Sequence, residues 1–341
     1  MTAFEIAMLF VSALMGAGFV SGKEIYNFFG RYGTQGVYGI VVVIAFLIIL
    51  SLMIMKMAER IGKFSSDEIL CPLGGSKLKK MIGWILRISL FISFTAMLSA
   101  GTSVLKEQFG INKYWGGLVL ALLIGITVYT DIHGILTIFK KIVPFMLMVT
   151  VFIGGGVLFK NIRTAAEPII LEPRYPWFVS ALLYLFYNLI AAIPVLGTLG
   201  IEEKKWKVKQ KGGIIGSLFV GGFALAFWKI VCNNSIIAET SDLPMIYLAG
   251  EIHYGIRYIY AFIMIIAIYC SATNCLYGVQ ADGENKKNIL RISLLTIVGY
   301  FFSLIGFGNM VKYIYPFQGV AGAFLLLMFL VNFLILIGKK K

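Results

Sequence analysis

Seven consecutive residues near the start of the chain, Gly16-Ala17-Gly18-Phe19-Val20-Ser21-Gly22, place three glycines and a serine inside an otherwise apolar stretch. Glycine lets a backbone leave the helical path and lets another group approach its N–H and C=O closely. In hydrocarbon an unpaired backbone group is costly, so an unwound stretch persists only where it lines a polar cavity or a ligand. The N–H groups at the start of a half-helix carry partial positive charge and suit a carboxylate. The carbonyls that end the preceding half-helix suit a cation. Gly16, Ala17 and Gly18, with Phe19 and Ser21 beside them, are therefore candidate substrate contacts. Gly18 to Gly22 also spell GxxxG, a pattern that packs helices closely, and the short match alone leaves both roles open.

Two further stretches carry polar groups in apolar surroundings. Phe186 to Gly200 reads FYNLIAAIPVLGTLG. Pro194 removes a backbone donor and frees an upstream carbonyl, while Tyr187 offers a hydroxyl and Asn188 an amide to a ligand. The alternative is a proline-kinked helix whose asparagine bonds a neighbouring helix. Tyr269 to Gly278 reads YCSATNCLYG, and Ser271, Thr273 and Asn274 supply hard oxygen ligands of the kind Na⁺ takes. Such hydroxyls also bond back to their own helix without any ligand. Lys23 and Glu24 follow the glycine-rich stretch, as an outer gate pair or a solvated helix end. Ser93, Thr95, Ser99, Thr102 and Ser103 read as helix-packing residues.

Metal and covalent chemistry find little footing. Cys71, Cys232, Cys270 and Cys275 form no disulfide framework, and neither His133 nor His253 has metal-ligand spacing. No paired catalytic groups fall at depth, so no enzymatic activity, catalytic residue or cofactor is expected. Gly74 to Lys77 lacks the first glycine of a phosphate-binding loop.

The elements that must position these residues are membrane helices. Hydrophobic residues make up 59% of the 341 and charged residues 13%, about half the charge of an ordinary soluble domain. The net charge of +14 suggests no nucleic acid, because Lys and Arg fall between the hydrophobic segments. A span needs about 20 mostly apolar residues. Ten segments qualify, near 3–29, 35–58, 81–106, 114–130, 138–160, 177–201, 211–232, 254–279, 289–307 and 313–337. The first lacks the basic lead and cleavage site of a signal peptide and reads as a mature helix.

With the N-terminus cytoplasmic, the inner loops (Lys56, Arg60 and Lys63; Lys77, Lys79 and Lys80; Lys140 and Lys141; Lys204 to Lys211; Lys286, Lys287 and Arg291; Lys339 to Lys341) hold about twice the positive charge of the outer ones. Both termini are then cytoplasmic in a multi-pass protein of the cell membrane.

The loop SSDEILCPLGG (Ser65 to Gly75) has a counterpart in TSDLPMIYLAG (Thr240 to Gly250). Gly16 precedes Ser66 by 50 residues and Asn188 precedes Ser241 by 53. Helix 6 thus repeats helix 1 five helices later. Five is odd, so the halves, about 1–160 and 177–337 of a single 1–341 transmembrane domain, are inverted. Two interruptions at matching positions of inverted halves point to a transport site at the midplane.

GAGFVSGKEI, Gly16 to Ile25, in a chain of this length with ten spans, resembles the YkvI-like bacterial membrane proteins, relatives of the amino acid–polyamine–organocation superfamily. The resemblance implies an all-α LeuT-type fold with helices 1 and 6 broken around the substrate. It implies that Gly16 to Gly18 contact a substrate carboxylate and that Tyr187 and Asn188 line the pocket from helix 6. It further implies that carbonyls from Ser12 to Met15 join Ser271, Thr273 or Asn274 around Na⁺, the sole metal expected. Ala272 separates Ser271 from Thr273, a departure from the usual adjacent hydroxyl pair.

The expectation is a secondary active transporter of a small amino acid or related carboxylate-bearing solute, coupled to Na⁺ or H⁺ and working by alternating access. The rival is a ligand sensor or channel on the same scaffold. The expected partners are a small-molecule substrate and the lipid bilayer.

Overall fold

The computed structural model describes residues 1–62, 66–130, 145, 148–160, 175–281 and 289–338, and every described element is helical. His133, Lys63, Lys140, Lys141, Arg163, Arg174, Lys286, Lys287 and Lys339 to Lys341 lie outside the described residues, as does most of the first half of the fifth expected segment.

The first expected span is three short helices, α1 (Ala3–Leu14), α2 (Ala17–Ser21) and α3 (Lys23–Phe28). Thr2 caps α1 in a reciprocal arrangement with Glu5, which fixes where it begins. Then follow α4 (Thr34–Ile61), the short α5 (Ser66–Leu70), α6 (Ser76–Phe109), α7 (Lys113–Thr130) and α8 (Met148–Phe159). The second half holds α9 (Trp177–Glu202), α10 (Trp206–Asn233), the short α11 (Ser235–Thr240) and α12 (Pro244–Ile252), and α13 (Tyr254–Ala281). It ends with α14 (Ile289–Ser303), α15 (Phe307–Asn309), a π-helical turn at Met310–Ile314 and α16 (Tyr315–Gly338).

Among the described residues seven helices are long and apolar enough to cross a membrane, and α1, α8 and α14 are shorter apolar helices. The outward faces are what lipid requires: Phe152, Phe159 and Leu290 are almost fully exposed. Both loops that share the Ser-Asp pattern contain a short helix, α5 and α12.

Packing places α9 at the centre, against α4 on one side and α16 on the other, while α1 packs on α10 and α6 on α13. Glycines make these approaches close. A Cβ on Gly200 would meet the Met55 carbonyl oxygen at 2.5 Å, and one on Gly322 the Phe186 carbonyl oxygen at 2.5 Å. Of the polar residues on α6, Ser93 accepts a 2.7 Å bond from Gln318 of α16, and Thr102 bonds back to Leu98.

The break expected in helix 6 is absent. Helix α9 runs unbroken from Trp177 to Glu202 with Pro194 inside it. The physical reason is the packing around it: residues of α9 are buried on most sides by α4 and α16, and neighbouring groups in a bundle tolerate the one bond a proline removes. Thr198 Oγ1 donates to the Pro194 carbonyl at 3.0 Å, reinforcing the turn that follows.

Candidate functional site

The break in the first helix lies where the sequence places it. Helix α1 ends at Leu14, Met15 leaves the helical path (φ −85°, ψ 72°), and Gly16 is extended (φ −80°, ψ −174°) before α2 starts at Ala17. The last carbonyls of α1 and the first N–H groups of α2 thereby lose their intrahelical partners. The Ala17 N–H finds only a thioether, donating to Met97 Sδ of α6 at 3.1 Å, and sulfur is a weak acceptor. Ser271 of α13 stands on the same break: a Cβ on Gly16 would lie 3.8 Å from its Oγ. That hydroxyl is buried and has no hydrogen-bond partner among the described residues.

A second interruption follows at once. Gly22 takes φ +79°, ψ −7°, a left-handed turn that side chains other than glycine adopt with strain. It separates α2 from α3 and folds Glu24 back over Gly18. A Cβ on Gly18 would lie 1.7 Å from Glu24 Oε1 and 2.2 Å from its Cδ. Glycine at this position is what makes room for the carboxyl. The other carboxyl oxygen, Oε2, accepts a short hydrogen bond from the Tyr187 hydroxyl of α9. Glu24 is 2% exposed and Tyr187 6%, so the pair is sealed inside the bundle.

Aromatic rings enclose it. Tyr187 stacks on Phe28 at 5.6 Å and lies against Tyr315 at 4.8 Å and Tyr184 at 5.5 Å. Tyr260 of α13 donates to the Val20 carbonyl at 2.7 Å, holding α2 in place.

Lys23 and Glu24 are neither a pair nor a solvated helix end. Both are buried, and as consecutive residues of α3 they point about 100° apart, to different partners. Lys23 Nζ donates to the carbonyls of Ala238 and Glu239 at 2.9 and 2.7 Å. These are late carbonyls of the short helix α11, where a cation is favoured. An Arg31–Glu239 ion pair at 2.5 Å closes the same end. Lys23, Arg31, Glu239, Asp242 and Lys312 line a polar cavity of about 230 Å³ there. At the other end of the bundle the terminal ammonium meets Glu203 at 2.7 Å, and Lys209 meets Glu59 at 3.3 Å.

The structure therefore gathers Gly16, Ala17, Gly18 and Ser271 at one break, with Tyr187 joined to it through Glu24. The remaining candidates have other attachments. Phe19 packs edge-on against Phe227 of α10 at 5.6 Å. Ser21 Oγ donates to the Gly18 carbonyl and accepts from the Lys23 N–H. Asn188 Nδ2 donates to Tyr184 O, Ser12 Oγ to Leu9 O and Thr273 Oγ1 to Tyr269 O, each within its own helix. Met15 is buried and Asn274 half-buried. The residues that sequence reasoning missed are Glu24 as a pocket group, Met97, and the rings of Phe28, Tyr184 and Tyr315. An acidic residue six positions after Gly18 in an apolar span was the available signal for Glu24.

No protein-family profile matches the chain. It is 27% identical over 329 residues to the membrane protein YkvI of Bacillus subtilis (strain 168), covering 93% of this chain and 92% of that protein. The solved manganese transporter of Eremococcus coleocola aligns with a TM-score of 0.66 at 11% identity, covering 98% of this chain and 78% of that one. A Na⁺-coupled sialic acid symporter in a substrate-bound, outward-open state aligns with a TM-score of 0.65 at 13% identity, covering 96% and 76%. The resemblance to YkvI stands, and the chain has the LeuT-type fold. The structural neighbours are transporters rather than enzymes, and their cargoes differ from one another, so the likeness carries the fold and not the substrate.

Proposed function

We propose that this protein is a secondary active transporter of a small amino acid or a related carboxylate-bearing solute. The observation that carries this is the break between Leu14 and Ala17, buried at the heart of a transporter fold beside Ser271, with Glu24 and Tyr187 over the adjoining Gly18. Backbone N–H groups at the start of α2 meet the substrate carboxylate, and the weakly held Ala17 N–H exchanges its thioether for a carboxylate oxygen. Tyr187 bounds the site from α9.

The ten apolar segments act as two inverted sets of five. The packing supports that pairing, because α1 on α10 has its counterpart in α9 on α4, and α6 on α14 in α13 on α7. Both termini are cytoplasmic in this reading, and α1 to α4, α9 and α10 rock against the rest to alternate access. The gradient that drives it is carried by Na⁺, with Ser271 and the carbonyls near Ser12 to Met15 as ligands, or by H⁺.

The test is a thermal-shift panel of the standard amino acids on purified protein, with and without Na⁺. A ligand that binds the folded state raises its apparent stability. At least one amino acid should raise the melting temperature, and the corresponding amine lacking the carboxylate should not. Stabilisation by amines and acids alike would overturn the carboxylate reading.

A further inference from the structure

The space that a carboxylate would enter above Gly18 is filled by the chain's own carboxyl. Glu24 Oε1 lies where a Gly18 Cβ would be, and Oε2 is held by Tyr187. Two carboxylates sharing one site cannot both be ionised. A substrate carboxylate can therefore settle on the start of α2 only if Glu24 is neutral and its side chain moves aside.

The neighbours of Glu24 decide how it becomes neutral. Tyr187 and Tyr184 face it from α9 and Tyr315 from the start of α16, and none of the three is basic. On its own helix Lys23 is directed to the α11 carbonyls. Arg31 is bound to Glu239, and Lys312 and Asp242 line the outer cavity with it. Glu24 forms no ion pair among the described residues. With no cationic side chain against it in this apolar enclosure, the ionised carboxylate is disfavoured and Glu24 takes up a proton.

We infer that Glu24 is the proton-binding residue of this protein, and that its protonation admits an anionic carboxylate to the break above Gly18. The inference rests on the carboxylate reading of the site given above. It assigns the driving ion as H⁺, with one proton bound for each carboxylate that enters. Glu24 occupies the seat itself and the Tyr187 hydroxyl keeps it there. Substrate entry then trades one acid for another at the same backbone, so an empty carrier with Glu24 ionised does not bind.

Two measurements test this on the full-length purified protein. The first needs no ligand: infrared difference spectra between acidic and alkaline buffer for wild type, Glu24→Gln and Tyr187→Phe. Wild type should show a protonated-carboxyl band that Glu24→Gln lacks and that Tyr187→Phe displaces. A Glu24→Gln spectrum identical to wild type would overturn the proposal. The second uses whichever standard amino acid stabilises the wild type in the panel above. Its affinity should fall about tenfold per pH unit once Glu24 is ionised, and should be independent of pH in Glu24→Gln, which is uncharged at any pH. The same pH slope in both proteins would refute the coupling. If no standard amino acid binds, the amino-acid reading of the cargo fails, and the infrared result alone decides whether Glu24 holds the proton.

Discussion

Replacing Gly18 by alanine tests the central contact directly. The new Cβ would lie 1.7 Å from Glu24 Oε1, 2.2 Å from Cδ and 2.4 Å from Cγ, so the carboxyl must retreat. Retreat breaks its bond with Tyr187 in a site sealed from water, at about 1–3 kcal/mol for the polar groups left unsatisfied. Crowding the flexible glutamate adds about 1 kcal/mol. The helix itself prefers alanine to glycine by about 0.5–1 kcal/mol, which offsets part of the loss. The net is a destabilisation of about 1–3 kcal/mol. In a Glu24→Ala background the obstruction is gone, and Gly18→Ala should instead stabilise by about 0.5–1 kcal/mol. Unfolding of the four proteins in mixed detergent micelles, followed by tryptophan fluorescence, gives the coupling energy. We expect about 1.5–4 kcal/mol, the difference between the two effects. Equal effects of Gly18→Ala in both backgrounds would refute the seating of Glu24 over Gly18.

Other residues yield narrower tests. Gly22→Ala forces a side chain into the left-handed region and sets its Cβ 3.0 Å from Met245 Cγ; it should lower stability by about 1–2 kcal/mol, read from the melting temperature. Arg31→Ala removes the ion pair with Glu239, and labelling of Cys232, whose thiol bonds Gly30 O at 3.5 Å, by a membrane-impermeant maleimide should accelerate; an unchanged rate would mean the pair does not close that end. Ser271→Ala should change stability by no more than about 0.5 kcal/mol in Na⁺-free buffer, because its hydroxyl has no partner to lose among the described residues. It should also abolish any Na⁺-induced shift seen in wild type, and a retained shift removes Ser271 from the ion site.

Much of the fold was legible because apolar length and loop chemistry are local properties. The segment expected at 177–201 is Trp177–Glu202. The one at 211–232 is Trp206–Asn233, longer at its start because a helix continues through Lys207 and Lys209 beyond the apolar stretch. The break at Gly16 was readable because glycine and serine interrupt an apolar run, and backbone in hydrocarbon cannot be irregular without a reason. Pro194 misled, since whether a proline breaks or merely bends a helix depends on what packs around it, and α9, packed between α4 and α16, continues through it unbroken. Glu24 was read as half of an outer gate pair or as a solvated helix end, and is instead a buried pocket group. Its position depends on the sign of φ at Gly22 and on a tyrosine 163 residues away. Met97, 80 residues from the N–H that it accepts, carries no sequence sign of that role.

Counterflow in proteoliposomes tests the transporter account most directly. Vesicles loaded with an unlabelled amino acid from the stabilising set are diluted into the same amino acid, labelled, and accumulation inside is followed for wild type and Gly18→Leu. The account predicts transient accumulation by wild type and none by Gly18→Leu, whose side chain would take the space over Gly18, with folding of the variant checked by its melting temperature. Binding without counterflow in wild type would mark a sensor on this scaffold, and equal accumulation by both proteins would contradict the site.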